Sequence, residues 1–310
     1  MKVAMLFPGY SGQYVGMGKD FYDNHRFVQE YFEEASSCLG LNFVKLCFAS
    51  SDAELSKIHN AYPSLFLVST AIAILLTKEG IVPSLVAGYC DGEFAALCAA
   101  NSINLADGLY FLSKYSIFYE ELIKKSKLSA LRIIGVSTEL LQEGCLNASI
   151  KNELVFIGIC FSEVDHIVSG HRDAIERLID FLQSTITVKF EHVGIGVGMH
   201  SPIMIDTVKL LKMYLEKLDF KALRMPFMSA LDGKLITEGP VVKNLILRHI
   251  NGSLYYSKIV DYLADYDLII GVGNRVMLHP LIKKKYPQKK IFEVRKSTDL
   301  KTLTQLMQYR

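Results

Sequence analysis

The spacing of apolar residues changes several times along the chain. Val3 to Phe7 is an unbroken apolar run ended by Pro8-Gly9, the pattern of a short strand buried on both faces. Phe21 to Cys38, Ala61 to Lys78 and Ala106 to Ile123 carry apolar residues at helical spacing. Between the last two, the apolar run Ile81 to Ala87 leads into Gly88-Tyr89-Cys90-Asp91-Gly92 and then Glu93-Phe94-Ala95-Ala96-Leu97, which reads as a strand, a sharp turn and a helix. The pattern shifts near Lys127. Strands are expected at Leu131 to Val136, Leu154 to Phe161, His166 to Ser169 and Thr187 to His192, with helices at Glu139 to Leu146 and Arg172 to Gln183. This β-α-β-β-α-β order is that of a ferredoxin-like unit. A helix from His200 to Leu218, a strand at Pro226 to Ser229, a helix around Leu254 to Leu263 and a strand at Leu268 to Gly271 follow. Strands alternating with helices imply a parallel sheet with the turn at Cys90 on its C-terminal edge. The expected fold class is α/β: a large α/β domain from residues 1–126 and 196–310, and an inserted ferredoxin-like small subdomain at 127–195.

Composition agrees with that division. With 310 residues, 50% apolar and 21% charged, the chain buries a sizeable core and shows no disordered or repetitive tract. A net charge of +2 with both signs interleaved leaves no nucleic-acid footprint. Lys283-Lys284-Lys285 with Lys289 and Lys290 is either a solvated surface or a landing site for an acidic carrier protein. The first apolar stretch is too short for a signal peptide, and no segment reads as the roughly 20-residue span of a membrane helix, so a cytoplasmic protein without membrane contact is expected. The six cysteines, Cys38, Cys47, Cys90, Cys98, Cys145 and Cys160, lack C-x-x-C spacing and read as free thiols, Cys98 and Cys160 as packing residues. The eight histidines are dispersed, so no metal is expected. Gly271-Val272-Gly273, followed by Asn274, is too short for a dinucleotide fingerprint and reads as a turn near an active-site mouth.

The candidate chemistry centres on Cys90. G-x-C-x-G between a strand and a helix has the geometry of a nucleophile elbow with cysteine in the usual serine position, which makes the large domain α/β-hydrolase-like. A thiol at a helix N-terminus gains acidity from the helix dipole and the free N–H groups. The alternative is a small buried hydrophobe at a helix start. Upstream, the first strand runs into Pro8-Gly9-Tyr10-Ser11-Gly12-Gln13-Tyr14-Val15-Gly16-Met17-Gly18-Lys19, and downstream stand His200-Ser201-Pro202 and Gly271-Val272-Gly273. In this order the four motifs resemble the malonyl-CoA:acyl-carrier-protein transacylases and the acyltransferase domains of polyketide synthases, whose motifs are F-P-G-Q-G-S-Q-x-x-G-M-G and G-H-S-x-G-E. The resemblance covers nearly the whole chain.

The resemblance implies that Cys90 is the nucleophile and His200 its base, the ring oriented by a backbone carbonyl near position 254. It implies an oxyanion hole of the backbone N–H groups of Tyr10 and Asp91. It also shows what has changed: Tyr10 replaces the family's first glutamine, Tyr89 the histidine before the nucleophile, Tyr115 the arginine that holds the malonyl carboxylate, Phe161 an asparagine and Leu254 a glutamine. Without that arginine, a malonyl carboxylate has no bidentate partner, and burying it unpaired costs several kcal/mol. Malonyl transfer is therefore expected to be lost, and a pocket of Tyr89, Tyr115, Phe161 and Leu254 is expected to take a neutral acyl chain. Asp91 raises the pKa of the adjacent thiol; it caps the helix, pairs with a cationic acyl group or holds His200. Glu93 matches the family's glutamate and has a structural role.

An acyl-cysteine is itself a thioester, so exchange with a pantetheine thiol is nearly balanced. No bound cofactor is expected; acyl-CoA or phosphopantetheinyl acyl carrier protein enters as substrate, the carrier protein being the expected partner. Three function classes remain: a transferase of a non-malonyl acyl group, in polyketide or related secondary metabolism; an acyl-thioester hydrolase used for proofreading; and a pseudoenzyme that binds the carrier protein.

Overall fold

The computed structural model describes residues 1–194, 197–273 and 275–308; Asn274 and the boundary expected at 195 and 196 lie outside the described residues. Its strands are β1 (Val3–Phe7), β2 (Leu85–Gly88), β3 (Leu128–Ile134), β4 (Val155–Ser162), β5 (Asp165–His171), β6 (Lys189–His192), β7 (Phe227–Met228), β8 (Leu235–Ile236), β9 (Leu254–Tyr255), β10 (Leu268–Val272) and β11 (Lys290–Val294).

The larger sheet has the order β11-β10-β1-β2-β7-β8. All its pairs are parallel except β7 with β8. Every residue of β1, β2 and β10 is buried, as continuous apolar runs covered on both faces require. The strand expected from Ile81 begins only at Leu85, because Pro83 has no N–H to give to a ladder. Gly271 and Val272 lie inside β10 and are not part of a turn; only Gly273, at φ 78°, leaves the strand.

The smaller sheet has the order β6-β3-β5-β4-β9, its first four strands antiparallel. Helices Thr138–Ala148 and Arg172–Thr185 provide the β-α-β-β-α-β order. They cover one face, where Leu131, Ile133 and Val168 pack with Leu141 and Leu178. Ala130, Ile159, Phe161 and Ile167 join the main core instead, which aims the other face at the larger sheet. β9 arrives from far along the chain and pairs parallel with β4, Ile159 against Leu254. Leu254 is thus a strand residue, and the helix expected from that position starts at Tyr256.

Other boundaries moved too. His25, at φ −134°, breaks the expected helix Phe21 to Cys38 into Lys19–Asn24 and Arg26–Leu39. A 3-10 turn, Pro202–Met204, precedes helix Ile205–Leu215. Helix Gly239–Asn251 occupies a stretch with no expected element. Helix Ile58–Lys78 is, contrary to the expectation above, long and apolar enough to cross a membrane by length and composition, but 89% of its apolar window is buried. It packs on helices Leu105–Lys125 and Gly92–Ala99 as a core helix.

Candidate active site

β2 ends at Gly88 and the next helix begins at Gly92, leaving three residues to reverse the chain. A Cβ on Gly88 would stand 2.2 Å from Glu93 N, and one on Gly92 would stand 2.4 Å from the Pro8 carbonyl oxygen, so both positions exclude any side chain. Cys90 at the apex has φ 48°. A left-handed conformation costs a non-glycine residue about 1–3 kcal/mol and persists where the surroundings impose it, often at functional sites. Among the described non-glycine residues, Ser11, Cys90, Asn101, Lys151, His200 and Arg275 have positive φ. Cys90, His200 and Ser11 beside Tyr10 fall on the motifs singled out above, so the strain marks the same places as the sequence.

The thiol is not acidified. Burial pushes the Cys90 pKa well above that of an ordinary thiol, and the Asp91 carboxylate adds to the rise; Tyr256 and Tyr89 phenols act in the other direction. Desolvation outweighs the helix end here. The Cys90 N–H donates to Tyr256 Oη at 2.6 Å, and the phenol lies 3.9 Å from Cys90 Sγ, so Tyr256 grips main chain and thiol at once.

His200 is buried, and its Nδ1 lies 2.8 Å from the His249 carbonyl oxygen. A carbonyl accepts only, so Nδ1 carries the proton and Nε2 keeps its lone pair. The orienting carbonyl is therefore at 249 and not near 254. Nε2 is buried without a hydrogen-bond partner, so it makes no hydrogen bond to the Cys90 thiol in this state. Burial, then the charge of His249, lowers the His200 pKa to about 3, against the opposing bond to the carbonyl. The imidazole is neutral throughout the physiological range. Glu93 supports this corner as expected: Oε1 accepts the Ala230 N–H at 3.1 Å, and Oε2 lies 2.8 Å from His249 Nδ1, off the line of a hydrogen bond.

Of the two N–H groups expected to form an oxyanion hole, that of Tyr10 is engaged by a side chain. The Tyr10 N–H donates to Asp91 Oδ1 at 2.7 Å, and Asp91's own N–H favours the ionised carboxyl. Asp91 makes no side-chain cap bond to its helix. Burial raises its pKa to about 7, opposed by these N–H groups and by His249.

The expected acyl pocket is closed. Cys90, Asp91, Tyr89 and Tyr10 face Ile159, Ile167 and Met199 across a cavity of about 20 Å³. Tyr89 forms one wall and stacks on Phe161 with ring centres 6.3 Å apart, and Tyr256 completes this aromatic cluster at 4.9 Å from Tyr89. Tyr115 lies behind Tyr62, 5.5 Å between rings, and its hydroxyl is buried without a partner. Leu254 is fully buried and does not line the cavity. Larger cavities lie elsewhere, one of about 610 Å³ on the helix-covered side of the smaller sheet, beside Cys145 and Cys160.

The lysine cluster is partly structural: Lys289 donates to the Ala264 and Tyr266 carbonyls, Lys283 to that of Pro287, and Lys285 pairs with Asp261. Among the described residues, no group of three or more His, Cys, Asp or Glu side chains is placed to hold a metal ion. Tyr256 and His249 are the residues that motif comparison missed. His249 lies on a face, Val242, Leu245, Ile246, His249 and Ile250, whose spacing after Pro240 is itself a helix signal.

Comparison with known proteins fits this geometry. The chain is 26% identical over 285 residues to a malonyl CoA-acyl carrier protein transacylase of Bacillus subtilis, covering 91% of this chain and 71% of that protein. It is 26% identical over 262 residues to the protein of that name from Escherichia coli (strain K12), covering 84% of each. Among solved structures, a type II polyketide synthase malonyl-transacylase in complex with its acyl-carrier protein superposes with a TM-score of 0.91 at 22% identity, covering 99% of this chain and 100% of that one, a likeness of fold. The model of the acyl transferase domain matches residues 4–254, a span that takes in the elbow, the smaller sheet and His200, and the chain belongs to the acyl transferase domain family.

Proposed function

We propose that this chain is a transacylase that carries a neutral, non-malonyl acyl group through Cys90, from a CoA or pantetheine thioester to the pantetheine thiol of an acyl carrier protein, in polyketide or related secondary metabolism. The observation that carries the reading is the pairing of strain and tautomer. Cys90 and His200 are both held at positive φ, and His200 keeps its proton on Nδ1, leaving a buried, unpartnered Nε2 lone pair. The cavity of about 20 Å³ makes this a closed state that the thioester opens by moving the Tyr89–Phe161–Tyr256 cluster. We read the large domain as α/β-hydrolase-like and residues 127–195 as its ferredoxin-like insertion.

In the reaction, Cys90 Sγ bonds to the thioester carbonyl carbon while its proton passes to His200 Nε2. The π pair moves onto oxygen and returns as the C–S bond to the donor thiol breaks; that thiolate takes the proton from His200. The reverse sequence with a carrier thiol discharges the enzyme. Tyr115 in place of an arginine supports neutral acyl groups, because a buried acyl carboxylate would have no cation there.

A second reading, a pseudoenzyme that binds a carrier protein, is favoured by one observation: the Asp91 carboxylate occupies the Tyr10 N–H. Intact-protein mass spectrometry after exposure to acyl-pantetheine thioesters separates the readings. The transacylase gives an acyl adduct in the wild type that Cys90→Ala abolishes and His200→Ala slows. Free acid as the main product indicates hydrolysis, and no adduct with any donor indicates the pseudoenzyme.

A further inference from the structure

Attack by the thiol needs two N–H donors for the oxygen that gains the π pair. Several main-chain donors around Cys90 are already engaged. Ser11 N–H donates to Gln13 Oε1 at 2.8 Å, Cys90 N–H to Tyr256 Oη at 2.6 Å and Gly92 N–H to the Tyr89 carbonyl at 2.8 Å. Tyr10 N–H donates to Asp91 Oδ1 at 2.7 Å. A carboxylate oxygen therefore takes up one of the two N–H groups expected to hold an oxyanion.

We infer that Asp91 is a built-in competitor for the oxyanion site, holding the resting enzyme inactive until the substrate carbonyl displaces its carboxylate. This deepens the transacylase reading and rests on it. The carboxylate does not cap the helix that follows, and it is 5% exposed. It acts on the nucleophile as well, since its charge helps to hold the Cys90 thiol protonated. Departure of the carboxylate therefore frees the Tyr10 N–H and eases thiol ionisation in one movement.

The groups coupled to Asp91 are Tyr10 from the loop after β1, Tyr62 from helix Ile58–Lys78, Tyr89 and Cys90 on the elbow, Tyr115 from helix Leu105–Lys125 and His249 from helix Gly239–Asn251. In this surrounding of phenols, burial lifts the carboxyl to about 7. A protonated carboxyl is a weaker acceptor for the Tyr10 N–H, so the competition is strongest above neutrality and relaxes below it.

The test is the rate of Cys90 acylation by hexanoyl-N-acetylcysteamine, followed by intact mass in wild type, Asp91→Ala and Asp91→Asn. The expected result is at least tenfold faster acylation in Asp91→Ala than in wild type at pH 8, on the scale of about 10²–10³ that one oxyanion donor is worth. Asp91→Asn should be intermediate, and the ratio to wild type should shrink by pH 5.5. Rates for both variants equal to or below wild type at pH 8 would overturn the inference.

Hydrogen exchange at the Tyr10 amide, measured by NMR without substrate, separates this from the transacylase reading. Exchange at least tenfold faster in Asp91→Ala, with the β1 amides unchanged, is expected even if no thioester reacts. An unchanged Tyr10 amide would refute the competitor whatever the acylation result. Asp91→Leu, which keeps a similar volume and has no acceptor, serves for both readouts should the alanine variant fail to fold.

Discussion

Replacing Asp91 by asparagine removes the charge while keeping the shape, and the structure sets the size of the effect. Burial lifts this carboxyl from 3.8 to about 7. A displacement of about three units at about 1.4 kcal/mol per unit is worth about 4 kcal/mol. The sign follows from proton counts. Between roughly pH 4 and 7 the folded chain keeps a proton that the unfolded chain releases, so wild-type stability falls across that window as pH rises and is flat above it. Asparagine has no such loss. The gap between Asp91→Asn and wild type should therefore grow by about 4 kcal/mol from pH 4 to pH 8, in favour of the variant. With an unfolding entropy of about 2.1 cal/mol/K per residue, this is a relative gain of about 6 °C in Tm. Thermal melts of both proteins in matched buffers read it, because the other carboxylates titrate alike in both and cancel. A gap that stays constant from pH 4 to pH 8 would show that Asp91 is not a buried carboxyl of raised pKa.

Other outcomes follow from the same site. Because burial holds its thiol protonated, Cys90 should be alkylated by iodoacetamide at pH 7.5 at least tenfold more slowly than the exposed Cys38, as peptide mapping would show; a faster Cys90 would contradict the raised thiol. Tyr256→Phe leaves the buried Cys90 N–H without an acceptor and should cost about 1–3 kcal/mol in urea unfolding. Tyr115→Phe removes a hydroxyl buried without a partner and should stabilise the chain by about 1 kcal/mol; a loss of stability would mean that the hydroxyl is satisfied.

Local features were the legible ones. Gly88 and Gly92 announce a turn because close approach forbids any other residue there, and the alternation of periods after Lys127 announces the β-α-β-β-α-β order. What depends on distant partners was not legible. Leu254 becomes a strand residue only because β4 offers an edge, through Ile159. Asp91, at a helix start, has the look of a cap, yet its carboxylate goes to an N–H 81 residues away. The raised pKa of Cys90 was not legible for a related reason: a helix terminus and a neighbouring carboxylate are visible in sequence, whereas the depth of burial is a property of the packed core. The ring of His200 takes its orientation from a carbonyl on a helix that showed no motif.

The most direct test of the central claim follows one acyl group from donor to acceptor. The protein is loaded with hexanoyl- or malonyl-pantetheine, digested to locate the adduct, and chased with a holo acyl carrier protein. The account predicts a hexanoyl adduct on the Cys90 peptide that disappears as the group arrives on the carrier thiol, with malonyl loading at least tenfold slower. A Cys90 that takes no acyl group, or takes malonyl as readily as hexanoyl, would contradict it.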